Sequence, residues 1–117
     1  MPMMEEAAWH KLIDELFAQV EDAIDELELD LDVESAGGIL TLRFEGGSAD
    51  GSKSGSVVIL SRQPAARELW VAARSGGFHL RQTDDGWHCG ATGEDLPALL
   101  NRVVSEQLGS QVALLPD

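Results

Sequence analysis

The hydrophobic period of this chain changes near residue 28. From Trp9 to Leu27 the apolar residues Trp9, Leu12, Ile13, Leu16, Phe17, Val20, Ile24 and Leu27 recur at helical spacing. On a helix of 3.6 residues per turn they form one buried stripe. From Leu29 onward the pattern alternates, with Leu29, Leu31 and Val33 set against Asp30, Asp32 and Glu34. A period of two is that of a half-buried strand. A long amphipathic helix therefore leads straight into a β region.

The β region continues by short reversals. Ala36-Gly37-Gly38 is a turn signal, and Ile39 to Glu45 reads as the returning strand with Leu40, Leu42 and Phe44 inward. Gly46 to Ser56 is rich in Gly and Ser and reads as an extended hairpin loop. Further strands are expected at Val57 to Arg62, Arg67 to Arg74 and Gly77 to Gln82, with a short one at Trp87 to Ala91. Leu96, Leu99, Leu100, Val103, Val104 and Leu108 return to helical spacing and stop at Gly109. Pro97 belongs in the first turn of that helix, with Asp95 or Thr92 as its N-cap.

Consecutive, closely linked strands favour an antiparallel sheet. The expected fold is an α+β two-layer sandwich, a sheet of five to six strands with the N- and C-terminal helices on one face. With 117 residues, 44% of them hydrophobic, the chain is expected to be a single domain with a core of about 6–109 and a tail at 110–117. Leu69 and Val71 flank Trp70, so burying the pair turns Trp70 to the open face as a contact residue. A register one residue away would bury it instead.

Charge is unevenly spread. Residues 1–34 hold twelve acids against the single base Lys11, whereas residues 35–117 have nine acids and seven bases; the whole chain carries −13. That sign opposes nucleic-acid binding, which needs a basic surface to displace counterions, and it disfavours anionic lipid. No apolar run approaches the roughly 18 residues of a membrane span, and the N-terminus lacks a targeting composition. A lone Cys89 permits no internal disulfide and fits a reducing, cytoplasmic setting.

At about 100° per residue, His10, Asp14, Glu21, Asp25 and Glu28 share the helix side opposite Leu16 and Val20, with Asp22 and Glu26 on its flank. Carboxylates four apart suit hard cations and iron. Like charges at that spacing repel by a few tenths of a kcal/mol per pair, a penalty that a cation removes. An acidic helix face is ordinarily just solvated, but such faces usually mix Lys with Glu, and this one does not. The same ridge would suit a basic protein partner.

His10 admits both a ligand role and a plain surface role. His79, His88, Phe78, Trp87 and Cys89 read as structural. No phosphate-binding glycine loop or nucleophile elbow is present. A ferroxidase would need Glu-x-x-His on facing helices, which the chain lacks, so the expectation is a non-enzyme.

The acidic first helix running into an acidic strand, Arg62-Gln63-Pro64, Leu69-Trp70-Val71, Ser75-Gly76-Gly77-Phe78-His79 and Trp87 together resemble a bacterial frataxin homologue. The resemblance spans about residues 6–109. It departs from the family pattern at Ser61, where Asn is usual, and in the length of the 46–56 loop. It implies an iron-binding protein, taking Fe²⁺ and Fe³⁺ weakly, that docks on the cysteine desulfurase and scaffold of iron-sulfur cluster assembly as sensor, donor or regulator. Carried over by position, the metal residues are His10, Asp14, Glu21, Asp22, Asp25, Glu26, Asp30 and Asp32. The docking residues are Glu21, Asp22, Asp25, Glu26 and Trp70. It also implies a monomer in the absence of metal, with metal-driven oligomers an open alternative. An acidic interaction module with incidental metal binding is the other reading.

Overall fold

The elements follow in the order α1 (Glu6–Glu26), β1 (Leu31–Ala36), β2 (Ile39–Phe44), β3 (Ser56–Gln63), β4 (Glu68–Ala73), β5 (Gly76–Thr83), β6 (Gly86–Cys89) and α2 (Leu96–Leu108). The computed structural model describes residues 5–44, 56–84 and 86–115. The expected 46–56 loop lies outside the described residues except for Ser56, which opens β3.

Every strand pairs antiparallel with its sequence neighbour, in the order β1-β2-β3-β4-β5-β6. Alternation puts Leu40, Leu42, Phe44, Val58, Leu60, Leu69, Val71, Leu80, Trp87 and Cys89 on one face, where all are buried. They form one cluster with Trp9, Ile13 and Val20 of α1 and Leu99, Leu100 and Val103 of α2. Both helices therefore cover the same face, giving the two-layer α+β sandwich. Each large apolar side chain that α1 buries contributes roughly 1.5–3 kcal/mol. Truncating the fully buried Ile13 to Ala would cost about 2–5 kcal/mol.

Helix α2 starts where the side chain of Asp95 accepts the Ala98 N–H at 2.9 Å, and it stops at Gly109 with φ 85°. Asp95, not Thr92, is the cap. Its last turn anchors the sheet through the buried Gln107. That amide accepts the Arg74 N–H at 2.9 Å and donates to Ser56 Oγ and the Val57 carbonyl.

Several boundaries differ from expectation for local reasons. Helix α1 begins at Glu6, three residues before Trp9. Its C-terminus closes by a paired motif in which Leu29 N–H donates to the Ile24 carbonyl and Glu28 N–H to the Asp25 carbonyl, both at 3.1 Å. The chain spends residues 27–30 on this closure, so β1 starts at Leu31 rather than Leu29, and Asp30 sits in a bend instead of on the strand. Arg67, expected in β4, has φ 53° and closes a turn by donating its N–H to the Pro64 carbonyl at 3.2 Å. Strand β6 ends at Cys89, leaving Ala91 in a turn closed by Gly93 N–H on the Cys89 carbonyl at 2.8 Å.

The tail packs rather than trailing off. Leu115 exchanges two 2.9 Å hydrogen bonds with the Asn101 side chain, and Val112 N–H donates to Ser105 Oγ at 2.9 Å. Val112, Leu114 and Leu115 are buried in the common core. The packed core thus reaches past residue 109 to Leu115.

Candidate metal ridge and docking face

The acids of α1 and of the turn that closes it fall into two groups along the helix axis. Glu21, Asp25 and Glu28, with Asp32 from β1, line one open groove of about 510 Å³ whose apolar lining includes Ile24, Leu29 and Leu31. Asp22 and Glu26 are exposed on the adjoining flank of α1, and Asp30 is exposed in the bend.

Asp14 precedes Glu21 by seven residues, about 10 Å along the axis, and belongs with His10 to a separate cluster. Arg62, at the end of β3, donates to Asp14 Oδ1 at 2.6 Å and to the Gly38 carbonyl at 3.4 Å, and its Nη1 lies 3.0 Å from His10 Nδ1. A guanidinium can only donate, so Nδ1 is assigned as acceptor and the neutral ring keeps its proton on Nε2, 3.8 Å from Glu6 Oε1. A metal ion at His10 therefore requires departure of Arg62, because freeing Nε2 by moving the proton to Nδ1 would also break that contact. Among the described residues, no three His, Cys, Asp or Glu side chains converge to hold a metal ion.

Two physical penalties accumulate at the groove. The last turn of α1 contains no base, although the helix dipole puts about half a negative charge at that end, and each acid there is disfavoured by about 0.3–1 kcal/mol. Glu28, moreover, adopts φ 52° at the position where glycine is preferred, at roughly 1 kcal/mol. Neither arrangement helps the fold. A cation in the groove would offset the charge penalty.

The second feature is the open face of the sheet. Cross-strand register sets Ile39, Ser61, Trp70 and His79 side by side on β2 to β5. Trp70 is 37% exposed and Ile39 40%. Ser61 lies between them and accepts a 3.0 Å hydrogen bond from Gln63 Nε2. Trp70 Nε1 donates to Glu68 Oε1 at 2.8 Å, and Arg81 Nε donates to Glu68 Oε2 at 3.0 Å. The Trp70 hydrogen bond foremost, then Arg81 and His79, hold the Glu68 carboxyl below the usual glutamate range.

A family model of the frataxin-like domain matches residues 2–110. This chain is a bacterial frataxin homologue. It is 50% identical over 109 residues to the iron-sulfur cluster assembly protein CyaY of Stutzerimonas stutzeri, covering 91% of each chain. It is also 50% identical over 111 residues to CyaY of Pseudomonas aeruginosa, covering 93% of this chain and 95% of that one. In structure it is similar to frataxin from Psychromonas ingrahamii, with a TM-score of 0.81 at 24% identity over 97% of this chain and 100% of that one. Trimeric frataxin from Saccharomyces cerevisiae, complexed with ferrous iron, matches with a TM-score of 0.64 at 20% identity, over 94% and 91% of the two chains. At these identities the structural likeness speaks to the fold.

Within this frataxin fold, Arg62, Glu68 and His79 take part in these two surfaces although the sequence assigned them no site role. Spacing places Glu28 on the acidic side but leaves it out of the metal residues, and it lines the groove. Glu68 and Trp70 are two apart on one strand, hence on one face, which was legible too. Arg62 meets His10 across 52 residues, and no local pattern announces that contact. Among the described residues, no helix is long and apolar enough to cross a membrane.

Proposed function

We propose that this frataxin homologue acts in iron-sulfur cluster assembly, binding iron weakly on the α1–β1 ridge and docking on the cysteine desulfurase and scaffold. The observation that carries this is the groove lined by Glu21, Asp25 and Glu28, with Asp32 at its β1 border and no Lys or Arg in its lining, at the negative end of a helix. Relatives at 50% identity bear the name of iron-sulfur cluster assembly proteins, and the yeast neighbour was solved with ferrous iron.

Carboxylate oxygens accept Fe²⁺ and the harder Fe³⁺, and water completes the shell where protein ligands do not converge. Such binding is exchangeable, which suits sensing or transfer. Asp22, Glu26 and Asp30 extend the field that gathers cations, and His10 and Asp14 join only when Arg62 lets go. The ridge and the Ile39–Trp70 strip of the open sheet form the docking face. The chain is monomeric without metal and serves as modulator, not catalyst.

A second reading, an acidic interaction module whose metal binding is incidental, draws on the lack of three converging ligands among the described residues. Reversing Asp22 and Asp25 to Lys separates the two. Under the first reading the double variant loses both Fe²⁺ binding and retention on immobilised desulfurase at physiological salt. Loss of retention with iron binding unchanged selects the second, and retention of both functions contradicts either.

A further inference from the structure

The two edges of the sheet are finished differently. Strand β6 is short and is covered by its own chain: Cys89 N–H donates to the Glu94 carbonyl at 2.9 Å, and His88 forms a bridge with Asp95. Strand β1 has six residues, and among the described residues it pairs with β2 alone. Its alternate N–H and C=O groups therefore face outward, which is the standard template for an added strand.

Beside that edge runs the α1–β1 groove, with apolar Ile24, Leu29 and Leu31 beneath and acids around it. An extended segment laid along β1 would send alternate side chains to the two faces of the sheet. On the helix side, the stems of Lys or Arg would lie on the apolar floor with their charged heads among Glu21, Asp25 and Glu28, the habit of long cationic side chains on apolar surface. On the open side, the next side chains would stand beside Asp32 and Glu34, opposite Arg43 and Thr41, where Arg43 already donates to Glu34 at 3.2 Å. The groove side therefore calls for cationic side chains and the open side for short polar ones. A second copy of this chain, at −13, is repelled by the same charges.

We propose that β1 accepts an extended Arg- and Lys-rich segment of a partner protein as a seventh strand, so that the ridge recognises backbone as well as charge. This deepens the docking reading given above and rests on it. Strand addition supplies directional hydrogen bonds, whereas a ridge of acids alone would take any basic surface in any orientation.

The test uses a synthetic peptide of about ten residues alternating Arg and Thr, long enough to span a strand, against the full chain at about 150 mM salt. A second peptide of the same sequence is N-methylated at alternate residues, which keeps its charge and removes the donors a ladder needs. The expected result is that the first peptide shifts the amide resonances of Leu31–Ala36 and slows their hydrogen exchange, and that methylation weakens binding by about tenfold or more. Equal binding of the two peptides would overturn strand addition and leave charge-based docking standing. If neither peptide binds, the docking reading fails with it, and the edge acids serve only to keep copies of the chain apart.

Discussion

The indole of Trp70 lies flat against the imidazole of His79, with ring centroids 4.3 Å apart and planes inclined by 10°. The two residues are directly opposite on β4 and β5, and Glu68 holds the indole from its edge. The open face thus carries a fixed aromatic plate, not a loose side chain. Aromatic anchors of this kind dominate interface energies when they are preorganised. Trp70→Ala should leave the fold intact, since the core lies on the other face, and should weaken binding to the desulfurase–scaffold complex by about tenfold or more. Unchanged affinity in a titration by calorimetry would remove Trp70 from the docking face.

The Glu68 hub predicts an acid transition. Its carboxyl is held below its ordinary value, so the stability it contributes is present above the unfolded glutamate value near 4.5 and is lost as pH falls through the lower folded value. Glu94, held low chiefly by hydrogen bonds from Arg102, acts in the same direction and the same window. The Trp70 Nε1–H resonance should therefore titrate with a midpoint below about 4.5, and Glu68→Gln should abolish that step. A midpoint at or above the ordinary value would show that the hydrogen bond to Trp70 does not favour the carboxylate.

Glu28 separates function from stability. Its φ of 52° suits glycine, and its charge adds to the negative end of α1. Glu28→Gly should raise stability by about 1 kcal/mol in urea denaturation while weakening Fe²⁺ binding. Loss of stability on that substitution would mean that the side chain has a structural role.

Removal of residues 110–117 should be costly, because Val112, Leu114 and Leu115 are buried and Asn101 bonds twice to Leu115. The expected loss is about 3 kcal/mol or more. Asn101→Ala alone should cost about 1–2 kcal/mol, measured by the same denaturation. Wild-type stability in the truncated chain would refute the packed placement of the tail.

Arg62 ties β3 to α1 through His10, Asp14 and the Gly38 carbonyl, and its guanidinium carbon lies 5.3 Å from the centre of the Phe17 ring. Arg62→Met keeps much of the packing and removes the donors, so it should cost about 1–3 kcal/mol. It should also free His10 Nδ1, which Co²⁺ or Fe²⁺ titration would register as a stronger response of the His10 ring.

Most of the architecture was legible because apolar period is a local signal. The α1 stripe, the inward Leu40, Leu42 and Phe44 and the Gly109 stop follow from spacing or from capping chemistry, whereas the outward Trp70 and the choice of Asp95 over Thr92 rest on the strand register and the cap geometry. Boundaries went astray where a non-glycine residue takes a left-handed conformation, at Glu28 and Arg67, since nothing in the sequence marks such a stop. In the candidate site, helical spacing correctly grouped Glu21, Asp25 and Glu28 on one face. It also grouped His10 and Asp14 there, because it measures angle around the helix and not what a distant residue such as Arg62 brings to that face.

Iron bound along the α1–β1 ridge should be visible residue by residue in an anaerobic Fe²⁺ titration followed by amide NMR at near-physiological salt. Resonances from Glu21 to Asp32 should broaden and shift selectively at micromolar to sub-millimolar metal, with the Trp70 face silent. Spectra that stay unmoved until salt is withdrawn would contradict iron binding there and leave the ridge as a docking surface alone.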